Sequence, residues 1–376
     1  MSLVPPPPTP DRPLVPHEPA TLAEAYRVFQ STTYNGGISL LQRNISGDSL
    51  HNSEQRFPPP LCHPDTRTSV QNIIQVWAAD TDRQAPSVMW LYGPAGAGKS
   101  AVAQSMAENW AMENQLAASF FFARLRAGSS SAKSLFPTIA YQLALHDPGL
   151  RTSIGLAVEA DPAICHKSLE DQVDALLVNP IALLPTRPSR PYLVIIDGLD
   201  ECNSKPTQSR IIEIIFQAIV ETGLPMRFLI CSRPKPHIRE TFDSLPGTIT
   251  FRRLILDDTF NPGRDILRYL RDRFSEICRR RLPYQDNSWP SERDLERIVH
   301  NASGQFIYAA TVLKFVDDEY CHPMDQLSLV LSLSTTETGT SPFSDLDTLH
   351  TYILSANPNI SLMMRILMFV LQSNIL

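Results

Sequence analysis

The sequence predicts an α/β chain: a parallel five-stranded sheet layered between helices, followed by an all-α region. Three observations predict it. Between Ser87 and Leu254, short apolar runs alternate with stretches of helical spacing. The apolar runs are continuous rather than alternating, which marks strands covered on both faces. After about residue 257 the strand-like runs stop and only helical periodicity remains.

Taken in order, residues 1–20 hold eight prolines and few apolar side chains. They are expected to form a disordered tail. Leu22–Gln30 reads as a short helix, and 31–66, rich in Gly, Ser, Asn and Pro, as a long connector. Ser69–Ala79 carries Val70, Ile73, Ile74 and Trp77 at helical spacing. Ser87–Tyr92 is the first strand. Lys99–Glu113 is a helix with Val102, Ala103, Met106 and Trp110 on one face. Ala118–Phe122 is the second strand and Lys133–Leu145 a helix. Tyr192–Asp197 is the third strand and Ser209–Glu221 an isoleucine-rich helix. Arg227–Ser232 is the fourth strand and Thr248–Leu254 the fifth. Helices are then expected at Asp265–Arg280, 291–301, 304–317, 322–332, 343–355 and 359–372. The last of these is apolar on most sides and needs something to pack against. Its sequence suits the front of a longer architecture.

Composition narrows the function classes. A chain of 376 residues is long enough for one large or two medium domains. Its formal net charge of −6 argues against a general nucleic-acid or anionic-membrane binder, which needs a basic footprint. No run of about 18 apolar residues is present, so no bilayer span and no membrane partner is expected. The arginines of 264–281 are interleaved with Asp265, Asp272 and Glu276, the pattern of a solvated helix face rather than a phosphate grip. Six scattered cysteines, with no Cys-x-x-Cys, fit reduced thiols in the cytosol or nucleus better than a disulfide scaffold, and a cytoplasmic protein is expected. Cys62-His63 and Cys165-His166 are adjacent pairs without spaced partners, which is a poor zinc arrangement.

Three segments carry chemistry. Gly93-Pro94-Ala95-Gly96-Ala97-Gly98-Lys99-Ser100 fits G-x-x-x-x-G-K-[ST] between a strand and a helix. Small residues let backbone N–H groups close around phosphates, and the helix N-terminus, with Ala101 in its first turn, adds partial positive charge. Lys99 would reach the β- and γ-phosphates, and Ser100 would ligate Mg²⁺. About 100 residues later, Tyr192–Glu201 is an apolar strand ending in acids. Asp197 would hold Mg²⁺, while Asp200 and Glu201 lie where a carboxylate can polarise an attacking water. By itself, a strand ending in acids is usually a solvated turn; its place after the phosphate loop favours function. Arg227–Pro234 is another strand with polar residues at the edge where ligands bind in open α/β sheets. Arg233 would contact the γ-phosphate, although a lone arginine after a strand is more often a salt-bridge residue.

With these motifs in order, the chain resembles fungal NACHT-domain proteins. These are signal-transducing P-loop ATPases of the STAND class, related to NOD-like receptors and to the N-terminal part of nephrocystin-3. Further segments carry the likeness: His63-Pro64-Asp65-Thr66-Arg67, Ser119-Phe120-Phe121-Phe122, Ile139–Ala144, Asp197–Cys202, Ser232-Arg233-Pro234 and Gly304–Ala310. It extends over about 36–360. The resemblance implies a fourth strand lying between the first and third, with Arg233 beside the phosphate loop. It implies Mg²⁺ and hydrolysis roles for Asp197 and Asp200, with Glu201 in reserve, and ATP/ADP rather than GTP. It places Thr66 and Arg67 near the adenine; the competing reading is that Asp65 or Thr66 simply caps the helix that follows.

The implied division is a tail at 1–20, a connector at 21–66, a nucleotide-binding domain at 67–256 and a helical domain at 257–357. A winged-helix or further helical part would begin at 358–376. Such proteins usually continue into a winged helix and a repeat domain, and often carry an N-terminal effector. Self-association and protein partners would act through those flanking domains. Neither His322 nor His350 sits in a nucleotide-sensing motif. The expected function is a switch that binds Mg-ATP and is reset by slow hydrolysis; the alternative is a non-hydrolysing nucleotide-bound scaffold. A small-molecule kinase lacks a lid or acceptor motif here. A helicase lacks aromatic-basic patches.

Overall fold

A computed structural model describes residues 36–82, 84–124, 129–246, 250–282, 289–333, 344–355 and 359–373. The expected helix at Leu22–Gln30 and the tail at 1–20 lie outside the described residues. Helix α1 covers 36–42 and α2 Thr68–Ala79. Strand β1 (Val88–Tyr92) leads into α3 (Lys99–Met112). Strand β2 is Leu116–Phe121, followed by α4 (Leu135–His146) and α5 (Pro148–Ala160). Two short helices, α6 (Leu169–Val173) and α7 (Asn179–Ala182), are joined by a π-helical turn. Strand β3 is Tyr192–Asp197, then come α8 (Lys205–Thr222), β4 (Met226–Ser232), α9 (Pro236–Ser244) and β5 (Arg252–Ile255). Six helices follow: α10 (Pro262–Arg281), α11 (Glu292–Ala302), α12 (Phe306–Val316), α13 (Pro323–Leu333), α14 (Ser344–Ser355) and α15 (Ile360–Ser373).

All strand pairings are parallel, in the order β2-β3-β4-β1-β5. The fourth strand therefore lies between the first and third. This is the three-layer arrangement of a P-loop NTPase with an all-α region after it.

Strand periodicity explains why the strand sequences are apolar throughout. Successive side chains point to opposite faces, and here each face meets helices. Val88, Trp90, Phe120, Val194, Ile196, Phe228 and Ile230 join a core with residues of α1, α4, α5, α8 and α9. Met89, Leu91, Phe121, Leu193, Ile195, Leu229 and Leu254 pack instead with α2 and α3. A third core, built on Ile266, Leu270, Phe274, Ile298 and Val312, holds the helical region together.

Three parts differ from the sequence expectation. Helices occupy 148–182 and 236–244 where none was foreseen. Their signals were local: Asp147 caps α5 ahead of Pro148 at its first position, and Pro236 opens α9. The described part of the connector, 36–66, is packed rather than loose. Ile38 and Leu41 are buried, and Gly37 lies so close to Gly155 that a Cβ would meet its carbonyl oxygen at 2.1 Å. Finally, β5 is short, Arg252–Ile255, and residues 247–249 lie outside the described set. In α15, Leu362, Ile366 and Phe369 are exposed.

Candidate functional site

The C-terminal ends of β1, β3 and β4 gather the sequence-predicted residues at one edge of the sheet. Tyr92 is in register with Ser232. Trp90 Nε1 donates to Ser232 Oγ at 2.9 Å, tying the end of β4 to β1. The loop between β1 and α3 turns through two left-handed glycines, Gly96 (φ +75°) and Gly98 (φ +93°). Other L-residues adopt this region only under strain. Gly98 is the N-cap of α3. The first N–H groups of a helix have no partner within it, so those of Lys99, Ser100 and Ala101 present donors, and the positive end of the helix dipole, at the loop.

Lys99 curls over this loop: its Nζ donates to Gly93 O at 2.9 Å and to Pro94 O at 2.7 Å. Burial lowers its pKa; Asp200 and Asp197 pull the other way. The Ser100 hydroxyl donates to the Asp197 carboxylate. Asp197 is 4 % exposed. Its carboxyl is pushed up to about 6, first by burial; Ser100 and the Arg56 charge oppose the rise. One hydroxyl and one rigid carboxylate make the hard-oxygen pair that Mg²⁺ takes when phosphates and waters complete its shell. These two residues fit such an ion. Among the described residues, no group of three or more His, Cys, Asp or Glu side chains is placed to hold a metal.

Asp200 sits in a single 3₁₀ turn after β3, which starts from Gly198 in the left-handed region. It is buried, and its Oδ1 accepts from the Arg233 backbone N–H at 3.0 Å. Its Oδ2 lies 3.5 Å from Arg233 Nε and 3.8 Å from Lys235 Nζ. Lys235 also donates to the Asp200 carbonyl at 2.9 Å. Glu201 accepts from the Arg124 N–H at 3.2 Å. Thus Asp200 and Arg233 are brought together as a pair. Ser100, Asp197, Asp200, Glu201 and Arg233 line one cavity of about 590 Å³. Lys235 and Arg56 share its wall, and the sequence reading singled out neither. Lys235 follows Ser232-Arg233-Pro234 closely enough to have been suspected. Arg56 lies in the connector, far from any motif.

Thr66 and Arg67 are placed differently. The Thr66 hydroxyl donates to His63 O at 2.6 Å, and the side chain is buried. Neither Asp65 nor Thr66 caps α2: the N-cap is Arg67, with φ 54° and no side-chain cap bond. Asp65 pairs with Arg268 of α10. Arg67 is buried, donates through Nη2 to Ala97 O at 3.0 Å, and stacks on Phe306 at 5.1 Å. Its backbone N–H donates to Asp265 at 2.9 Å. Its Nε and Nη1 find no partner. One arginine therefore bridges the phosphate loop, α10 and α12. A second bridge lies beside it. The Ile307 N–H meets Gly96 O at 3.3 Å, and a Cβ at Gly96 would strike Ile307 Cγ2 at 2.2 Å. The Gly304–Ala310 segment thus packs directly on the phosphate loop.

Residues 68–233 match the family described as nephrocystin 3, N-terminal. That span begins at α2 and ends at Arg233, so it contains the phosphate loop and the acids after β3. No curated protein matches the sequence. Among solved structures, Drosophila ORC bound to DNA is similar at 16 % identity and a TM-score of 0.41, over 72 % of this chain and 62 % of that one. C. elegans PCH-2 is similar at 11 % identity and 0.40, over 78 % and 70 %. Domain III of the Thermotoga maritima replication initiation protein DnaA gives 9 % and 0.37, over 78 % and 99 %. This chain spans less than two thirds of the ORC chain.

Proposed function

We propose that this protein is a NACHT-type nucleotide switch that binds Mg-ATP at the loop from Gly93 to Ala101 and resets by slow hydrolysis. The observation that carries the reading is the Ser100–Asp197 hydrogen bond at the mouth of a loop ending in Lys99. It joins the phosphate cradle after β1 to a rigid carboxylate at the end of β3, two strands away in the sheet. In that reading Lys99 neutralises β- and γ-phosphate charge, and Ser100 and Asp197 hold Mg²⁺, which supplies the charge that stabilises the leaving oxygens. Asp200 orients the attacking water with Glu201 in reserve, and Arg233 answers to the γ-phosphate. Arg67 and Thr66 belong to the base side of the site.

A switch needs contacts that differ between nucleotide states. The bridges from the phosphate loop to the helical region, Gly96–Ile307 and Ala97–Arg67, supply candidates. Changing the phosphates would shift this loop and, through it, α10 and α12. Self-association would follow in the ATP form.

The pairing of Asp200 with Arg233 and Lys235 favours a second reading, a scaffold that holds nucleotide without turnover. A carboxylate whose oxygens are engaged by two cations has less room to orient an attacking water. Nucleotide turnover by the purified chain, measured beside titrations of labelled ATP and ADP, separates the two. The switch requires turnover that is lost in both Lys99→Ala and Asp200→Asn, with binding lost only in Lys99→Ala. Tight binding without turnover in the wild type would favour the scaffold. No binding by the folded wild type would defeat both.

A further inference from the structure

The connector places one more cation at the phosphate end of the site. Arg56 closes a 3₁₀ turn, Glu54–Arg56, and precedes Phe57-Pro58-Pro59-Pro60. Prolines fix φ, so the turn is followed by a stiff strap rather than a free loop. The Arg56 guanidinium lies 3.8 Å above the Phe121 ring at the end of β2. Its Nη2 donates to Gln104 Oε1 at 2.9 Å. Gln104 is one helical turn beyond Ser100 on α3, which puts both on the same face. Gln104 is fixed in turn, its Nε2 donating to His51 O at 2.8 Å and Glu108 Oε1 at 3.0 Å. The His51 N–H is anchored to Ser119 Oγ at 3.2 Å. Arg56 is therefore held by Phe121 and Gln104, and it lines the same cavity as Ser100 and Asp197. Its charge opposes the rise that burial imposes on the Asp197 carboxyl.

Two other cations lining the cavity, Arg233 and Lys235, are drawn toward Asp200. Arg56 lines the same cavity, and a guanidinium suits phosphate oxygens better than an ammonium does. We propose that Arg56 is a γ-phosphate contact supplied in cis by the connector, so that the connector itself distinguishes a triphosphate from a diphosphate. The inference rests on the nucleotide site proposed above. ADP lacks the group that Arg56 would touch, so only the ATP form would grip the turn at Glu54–Arg56.

The test compares affinities for a non-hydrolysable ATP analogue and for ADP, both with Mg²⁺, in wild type, Arg56→Met and Arg56→Lys. Methionine keeps an unbranched stem over Phe121, and circular dichroism checks that each variant is folded. Arg56→Met is expected to weaken the triphosphate about tenfold or more, the scale of a lost charge-assisted hydrogen bond, and to leave ADP within about twofold. Arg56→Lys should recover part of the loss. In the wild type alone, the triphosphate should slow amide exchange over residues 50–60. Equal losses for both nucleotides, or none, would overturn the assignment while leaving the nucleotide site standing. A folded wild type that binds neither nucleotide would remove the site and the Arg56 role together.

Discussion

Replacing Asp197 by asparagine should stabilise the nucleotide-free protein while removing its response to Mg²⁺. The carboxyl is pushed from an ordinary 3.8 to about 6, chiefly by burial. At roughly 1.4 kcal/mol for each tenfold change in proton affinity, ionising it in place costs about 3 kcal/mol. Below pH 3.8 the folded and unfolded chains both carry the proton, and the group contributes nothing to pH dependence. Between 3.8 and about 6 the unfolded carboxyl ionises first, so stability falls as pH rises. Above about 6 the full cost is present. Asparagine never ionises and keeps an oxygen to accept the Ser100 hydroxyl. Its amide must find a partner, so ~3 kcal/mol is an upper bound. Thermal unfolding followed from pH 4 to 8 should show the variant gaining up to several degrees over wild type at pH 8, with the gap closing toward pH 4. Mg-ATP should raise the wild-type midpoint much more than that of the variant. A variant less stable than wild type at pH 8, or a gap that ignores pH, would refute the idea that Asp197 is held at a cost for the sake of a cation.

Other substitutions address separate parts of the structure. Lys99→Ala should cost about 10- to 100-fold in nucleotide affinity, the worth of a charge-assisted contact, read by titration with labelled ATP. Gly96→Ala must adopt φ +75° and push Ile307 aside. A loss of about 1–3 kcal/mol is expected, with faster proteolysis between the sheet and the helical region. Arg227→Met removes the buried donor to the Trp77 and Ala78 carbonyls at the end of α2. It should cost about 1–3 kcal/mol by denaturant titration and leave ATP affinity untouched, since it sits at the other edge of the sheet.

The sheet was legible because its signals are local. Tyr192–Asp197 is apolar throughout, and the structure starts and ends β3 at those residues. The Gly93–Ser100 spacing announced a loop between strand and helix, and the two left-handed glycines are those a phosphate cradle needs. The missed α5 does bury Leu150, Ile154 and Val158 on one face, but Gly149, Gly155 and the exposed Leu156 lie among them. Glycine is a poor helix former, so local propensity spoke against that stretch.

The sequence by itself determined the alternation of strand and helix, the phosphate loop, and which acids end β3, because each depends on residues near one another in the chain. Only the tertiary structure decided that Asp200 pairs with Arg233 and Lys235, that Arg67 ties Ala97 to Asp265 and Phe306, and that Ile307 rests on Gly96. It alone carried Arg56 across to Gln104 and Phe121. These contacts join residues tens to hundreds of positions apart. No periodicity encodes them; they follow from how packed faces, once buried, bring distant side chains into reach.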